Sequence, residues 1–301
     1  MRICFIGCVE FSEKALKKLF ELESAGVCTV VGVITKQASS FNADFRDLSN
    51  CIKNVGADPA IVHFYENQES AAAFIREIKA DIVFCFGWSS LLGPDLLSAA
   101  ARGVIGFHPA ALPQNRGRHP IIWALALGLD ETASTFFQMD KEADSGPILS
   151  QQSVPILPKD NARILYQKIT ETALAQIEQF TPMLAQYSAE FRHQDHTKAT
   201  YWRKRNPADG VIDWRMDAYS IHNLVRALHS PYPGAEFRTD QGAVIKVWQT
   251  SLAERSFSRN FEPGKILHVQ AGRALVKCGG ESAIWLENIK PELTCIEGSY
   301  L

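Results

Sequence analysis

Five short apolar runs, at residues 2–6, 29–35, 61–64, 81–86 and 103–107, are each separated from the next by a stretch with room for a helix. Strands that alternate with helices pair side by side in one direction, which gives a mostly parallel sheet covered on both faces. Ser12 is placed to cap a first helix, in which Ala15, Leu16, Leu19 and Phe20 recur on one face. Helical spacing also predicts helices over residues 71–78, 94–101, 120–127 and 162–186, with a β-rich run over 131–139. Residues 189–198 are polar and lack apolar periodicity. Beyond them the text changes to one helix and several short strands punctuated by glycine. The expected organisation is an α/β domain over residues 1–188, a connector over 189–203 and a smaller, mostly β domain over 204–301.

Size agrees with two bodies, because 301 residues exceed what a single core usually organises. The formal net charge of −2 provides no global attraction for a polyanion, although a local basic patch is left open. No stretch reads as an export signal, and the apolar runs fall well short of the roughly 20 residues that a bilayer requires. The 7 cysteines form no C-x-x-C pair and stand in apolar contexts, as buried thiols of a reducing compartment do, so a cytoplasmic location is expected. The His, Cys and Asp residues show no zinc-ligand spacing, and no metal is expected. The turn after the first strand, from Gly7 to Ser12, lacks G-x-G-x-x-G and so gives no support to a nicotinamide dinucleotide site.

Two clusters carry chemistry. The first is Gly106-Phe107-His108-Pro109-Ala110-Ala111-Leu112-Pro113-Gln114-Asn115-Arg116-Gly117-Arg118-His119-Pro120, which leaves a buried strand as a rigid, proline-rich loop. An isolated histidine is more often structural. His108, however, stands at the carboxyl end of a strand, where ligands of open α/β sheets collect. The second cluster, Gln138 to Gly146, is an acidic loop that would pass for a solvated hairpin by composition alone.

Taken together, these runs resemble the 10-formyltetrahydrofolate-dependent formyltransferases. The likeness extends over Ile122-Trp123-Ala124, Glu131-Thr132-Ala133 and the stretch from Ala143 to Leu149. It continues in Asp209 to Trp214, Ile221 to Leu228 and Pro231 to Ala235, which are similar to the C-terminal domain shared by methionyl-tRNA formyltransferases and some sugar formyltransferases. The resemblance implies a Rossmann-like formyl-transfer domain, an attached OB-like barrel and a catalytic trio of Asn, His and Asp. The histidine maps onto His108 and the aspartate onto Asp144. The asparagine should stand two residues before the histidine, where this chain has Gly106.

That departure removes a hydrogen-bond donor from the formyl oxygen, a loss worth about 3 to 4 kcal/mol of transition-state stabilisation in comparable sites. Candidate substitutes are Asn115, His119, a backbone N–H near Gly106 and an ordered water, with Asn115 preferred as helper to His108. The implied donor is 10-formyltetrahydrofolate, lying against Phe86, Gly87, Trp88, Leu92 and the segment Ala110, Ala111, Leu112 and Pro113. Its pterin edge would meet the backbone near Ile105 and the loop that holds Asp140 and Ala143.

The acceptor is expected to be a primary amine on a small molecule, a nucleotide-linked amino sugar such as a UDP- or dTDP-linked 4-amino-4,6-dideoxy sugar. In the tRNA branch the loop after the second strand is basic, whereas residues 37–47 here hold one Arg against two Asp. Asn42 and Asp44 in that loop suit sugar hydroxyls. Arg116 and Arg118 suit a diphosphate, with His119 beside them. Methionyl-tRNA formyltransferase and a folate-binding regulatory protein without turnover remain the alternatives. No membrane partner is expected, and a homodimer is left open.

Overall fold

The computed structural model describes residues 1–39 and 43–301, so the expectation placed on Asn42 lies outside the described residues. The chain runs β1 (Arg2–Ile6), α1 (Glu10–Ser24), β2 (Thr29–Thr35), α2 (Leu48–Asn54), β3 (Val62–Phe64), α3 (Gln68–Glu77), β4 (Ile82–Cys85), α4 (Pro94–Leu97) and β5 (Val104–His108). It continues through β6 (Arg116–Gly117), α5 (Pro120–Ala126), β7 (Glu131–Gln138), β8 (Ile148–Pro155), α6 (Ala162–Ala185) and β9 (Tyr201–Trp202). The remainder holds α7 (Ala218–Ala227) and strands β10 (Ala235–Arg238), β11 (Val244–Leu252), β12 (Ile266–Gln270), β13 (Arg273–Lys277) and β14 (Ala283–Lys290). Among the described residues no helix is long and apolar enough to cross a membrane.

The first body comprises Met1–Pro120, Thr132–Val154 and Gln167–Trp202. Its seven-stranded sheet has the order β3-β2-β1-β4-β5-β7-β8, with β1 to β5 parallel and β7 antiparallel to β5. The order reverses between β1 and β4, the kind of crevice where open α/β sheets hold ligands. Helix α1 starts three residues earlier than expected, with Val9 in the cap position. Ser12 is therefore not its cap: the Ser12 hydroxyl donates to the Phe86 carbonyl and accepts from the Val9 N–H, tying the β1 and β4 turns together. Helix α4 ends at Leu97, not 101, and a turn completes the connection to β5.

Successive strand residues point to opposite faces, so β5 divides its side chains between two environments. On one face Phe107 meets Phe11 and Phe136 at centroid distances of 4.4 and 4.9 Å, within an aromatic column that also holds Phe84, Phe86 and Phe180. On the other face stand Gly106 and His108, opposite Phe137 and Thr135 of β7. Phe86 is completely buried, which corrects its expected place against the donor, and Ile105, expected to act through its backbone, likewise has a buried side chain. Their side chains belong to the core rather than to a ligand wall.

The second body comprises Ile121–Glu131, Pro155–Tyr166 and Arg203–Leu301. It is built on a five-stranded antiparallel sheet of order β10-β11-β14-β13-β12. Helix α7 buries Ile221, Leu224 and Val225, and Asp217 caps its start by accepting from the Ser220 N–H.

Residues 189–202, polar as they are, are fixed within the first body. Arg192 and Ile148 exchange two backbone hydrogen bonds of 2.8 Å, and β9 pairs in parallel with β6.

Candidate active site

The end of β5 delivers His108 into a nearly closed setting, with 5% of the residue exposed. Its Nε2 lies 2.8 Å from the Asn115 carbonyl oxygen. A carbonyl can only accept, so Nε2 carries a hydrogen and Nδ1 is the nitrogen left to gain or lose a proton. Nδ1 faces Oδ2 of Asp144 at 3.6 Å. That separation is beyond a hydrogen bond but well within range of a charge interaction. The same Oδ2 accepts from the Gly117 N–H at 2.8 Å, which fixes the carboxylate. The two groups singled out in the sequence thus converge.

The backbone around them is held in uncommon conformations. Asn115, His119 and Asp144 have φ of 62°, 55° and 56°, in the left-handed region that such residues enter at a cost of about 1 kcal/mol or more. Gly117 is required for another reason: a Cβ there would lie 2.3 Å from the Trp202 carbonyl oxygen. The loop from Pro109 to Pro113 is pinned by three side chains to which the sequence assigned no role. Thr132 donates to the Pro109 carbonyl, Thr135 donates to that of Ala110, and Gln151 donates to that of Leu112.

Asn115 is organised by Thr200. The Thr200 hydroxyl accepts from the Asn115 N–H at 2.8 Å and donates to Asn115 Oδ1 at 3.2 Å. This leaves the Asn115 Nδ2 hydrogens without a partner among the described residues. At Gly106, the missing carboxamide position is filled: a Cβ would lie 2.7 Å from Cγ and 3.0 Å from Sδ of Met139.

Arg116 does not face a ligand, which corrects the diphosphate expectation. Only 1% of the residue is exposed, and its guanidinium donates to the Tyr201 hydroxyl at 3.0 Å and to Gln194 Oε1 at 2.7 Å. Arg118 remains half-buried and donates to the Ser89 carbonyl at 2.9 Å. The half-buried Asp44 uses its backbone carbonyl to accept from the Glu10 N–H at the start of α1. Around the expected donor-binding surface, Trp88, Ala111, Pro113 and Ala143 are partly exposed, Ala110, Leu112 and Leu92 are buried, and Asp140 is exposed.

Beside these, a cavity of about 530 Å³ opens past the ends of β2 and β3, lined by Lys36, Gln37, Ala38, Phe64, Tyr65 and Glu66. Lys36 Nζ lies 4.5 Å from the Trp88 ring centroid.

Comparison with known proteins agrees with this architecture. Residues 1–179 match the formyl transferase family and residues 204–295 match the formyl transferase C-terminal domain. Among solved structures, the fold is similar to WlaRD, a sugar 3N-formyltransferase determined in the presence of dTDP and 5-N-formyl-THF. The two share 15% identity at a TM-score of 0.71 over 97% of this chain and 99% of that one. It is also similar to an N-formyltransferase from Helicobacter canadensis in complex with folinic acid and dTDP-3-aminofucose, at 17% identity, TM-score 0.70, covering 95% and 98%. HypX from Aquifex aeolicus shares the fold over 96% of this chain but 44% of its own length, at 15% identity and TM-score 0.67. With both halves of its sequence matched and the His108–Asp144 pair at the carboxyl end of β5, the chain belongs to the formyl transferase family.

Proposed function

We propose that this protein transfers a formyl group from 10-formyltetrahydrofolate to the primary amine of a nucleotide-linked amino sugar. The observation that carries this reading is the approach of His108 Nδ1 to Asp144 Oδ2 at 3.6 Å, at the carboxyl end of β5. Support for a sugar acceptor comes from the two full-length structural neighbours, which were crystallised with dTDP or a dTDP-linked amino sugar.

The residues present fit the formyl donor. Partly exposed Trp88, Ala111 and Pro113 offer flat apolar surface, and the loop holding Asp140 and Ala143 offers polar groups to a heterocycle edge. When bound, the donor supplies an activated formyl carbon. The amine nitrogen forms a bond to that carbon, the bond to the folate nitrogen breaks, and one proton passes from the amine to the departing nitrogen.

His108 serves that proton. Its Nε2–H is committed to the Asn115 carbonyl, so Nδ1 takes the proton and returns it while Asp144 offsets the imidazolium charge. Asn115 is assigned to the developing oxyanion, because its Nδ2 hydrogens are free and its Oδ1 is fixed by Thr200. Its carboxamide replaces the one that Gly106 lacks. For the nucleotide, Lys36, Tyr65 and Trp88 offer a cation and two aromatic rings near the cavity past β2 and β3, and Arg118 donates to the carbonyl of Ser89, next to Trp88 in the chain.

The test is turnover of purified protein with 10-formyltetrahydrofolate and a panel of UDP-, dTDP- and GDP-linked amino sugars, beside initiator methionyl-tRNA. Formylated sugar is the expected product. Product with tRNA alone would overturn the acceptor, and binding of folate without any product would favour a regulatory protein.

A further inference from the structure

Between residues 190 and 198 the chain is exposed except at one position, Gln194, of which 6% is exposed. Its amide is fully used. Nε2 donates to the Asp144 carbonyl at 2.9 Å and to the Gly146 carbonyl at 2.7 Å, and Oε1 accepts from Arg116 Nη2 at 2.7 Å. The orientation of the amide follows from chemistry, since carbonyls can only accept and a guanidinium can only donate.

The turn that Gln194 grips is the one that carries the Asp144 carboxylate. Asp144 sits at φ 56°, and a Cβ on Gly146 would lie 1.8 Å from the Gln138 carbonyl oxygen, so the turn has little freedom and needs external support. Gln194 holds its main chain while the Gly117 N–H holds its side chain. Arg116 in turn supports Gln194. It is buried, and among the described residues it has no carboxylate partner, its Nε has no hydrogen bond, and its charge is met by Tyr201, Gln194 and His196.

We infer that Gln194, backed by Arg116, is a positioning residue of the formyl-transfer centre, setting the Asp144 main chain and thereby the spacing between Asp144 and His108. The inference rests on the proposed formyl transfer but is separable from it. A staple that merely held a loop would alter stability alone. A positioning residue acts through Asp144, so its loss cannot add to the loss of Asp144 itself.

Gln194→Glu is the discriminating variant. It preserves shape and gives Arg116 a charged partner, yet as a carboxylate it cannot donate to the two carbonyls. The expected result is affinity for 5-formyltetrahydrofolate within about threefold of wild type and kcat lowered about 10- to 100-fold, in the range of misplaced acid–base groups. In an Asp144→Asn background the same change should lower kcat no further. The His108 ring nitrogens, followed by 15N NMR, should titrate at a shifted pH in Gln194→Glu, as should His196, which meets Arg116, while the histidines remote from the clamp keep theirs.

Wild-type kcat together with wild-type His108 titration would overturn the inference, as would losses that multiply in the double variant. Should Gln194→Glu fail to fold, Arg116→Lys decides: a smaller fall in kcat with a His108 shift supports positioning, and wild-type values for both reject it. If wild-type protein formylates no acceptor, the proposed function fails, and the His108 titration still reports on the clamp.

Discussion

Met139 occupies the space in front of Gly106. A side chain at position 106 would begin 2.7 Å from Met139 Cγ and 3.2 Å from Cζ of Phe137, so glycine and thioether are complementary partners across β5 and β7. The space that a carboxamide at position 106 would need is taken by Met139 and Phe137.

Restoring the carboxamide alone should therefore harm the protein. Gly106→Asn is expected to destabilise by about 1 to 3 kcal/mol, the usual effect of overfilling a well-packed site. Gly106→Asn combined with Met139→Ala should recover part of that loss. Thermal melts of the two variants check this, and equal melting temperatures would show that Met139 is not the obstacle.

The central pair should dominate the rate. His108→Ala and Asp144→Asn are each expected to lower kcat at least about a hundredfold with little change in donor affinity. Steady-state kinetics beside equilibrium binding of 5-formyltetrahydrofolate separates the two quantities. Asp144→Asn retains an oxygen for the Gly117 N–H, so the turn should persist.

Asn115 should matter through its side chain, not its backbone. Because its φ is 62°, Asn115→Gly keeps the conformation while removing the donor. A fall in kcat of about 10²-fold is expected, the scale for loss of one oxyanion donor. Thr200→Val should produce a milder fall, since it frees the carboxamide to rotate. An unchanged kcat in Asn115→Gly would move the oxyanion role elsewhere.

The second body should weaken in mild acid. Burial, and next the nearby Arg226 guanidinium, lower the pKa of His222, whose Nδ1 lies 3.0 Å from the Thr250 hydroxyl. The unfolded chain then binds the proton more readily, so stability is full above the ordinary value near 6.5 and is lost as pH falls from there through the folded value. Exposed ion pairs titrate later: Asp213, held down at about 2 by the Arg215 guanidinium, keeps its contribution until pH drops below the ordinary carboxylate value near 3.9. Chemical denaturation between pH 7 and 5 should show a slope that His222→Gln removes.

Much of this was legible along the chain. The bounds of β1 and β2 coincide with the apolar runs, and His108 stands at the end of its strand, because periodicity and turn residues are local properties. The Asn115 carbonyl and the Gly117 N–H are a different matter. They act through the backbone, and no residue type announces which nearby group a main-chain atom will meet. Phe86 misled for a related reason: an apolar side chain beside a ligand and one in the core look alike in one dimension.

By itself, then, the sequence determined the alternation of strand and helix, the change to a mostly β body and the presence of an imidazole and a carboxylate in two polar loops. Tertiary structure alone decided that Arg116 turns inward, that Met139 fills the place beside Gly106 and that Gln194, in a stretch without apolar periodicity, grips the Asp144 turn. The reason is physical. Hydrophobic patterning reports which face of an element is buried, whereas a buried polar group is placed by partners distant in sequence whose hydrogen bonds must all be satisfied at once.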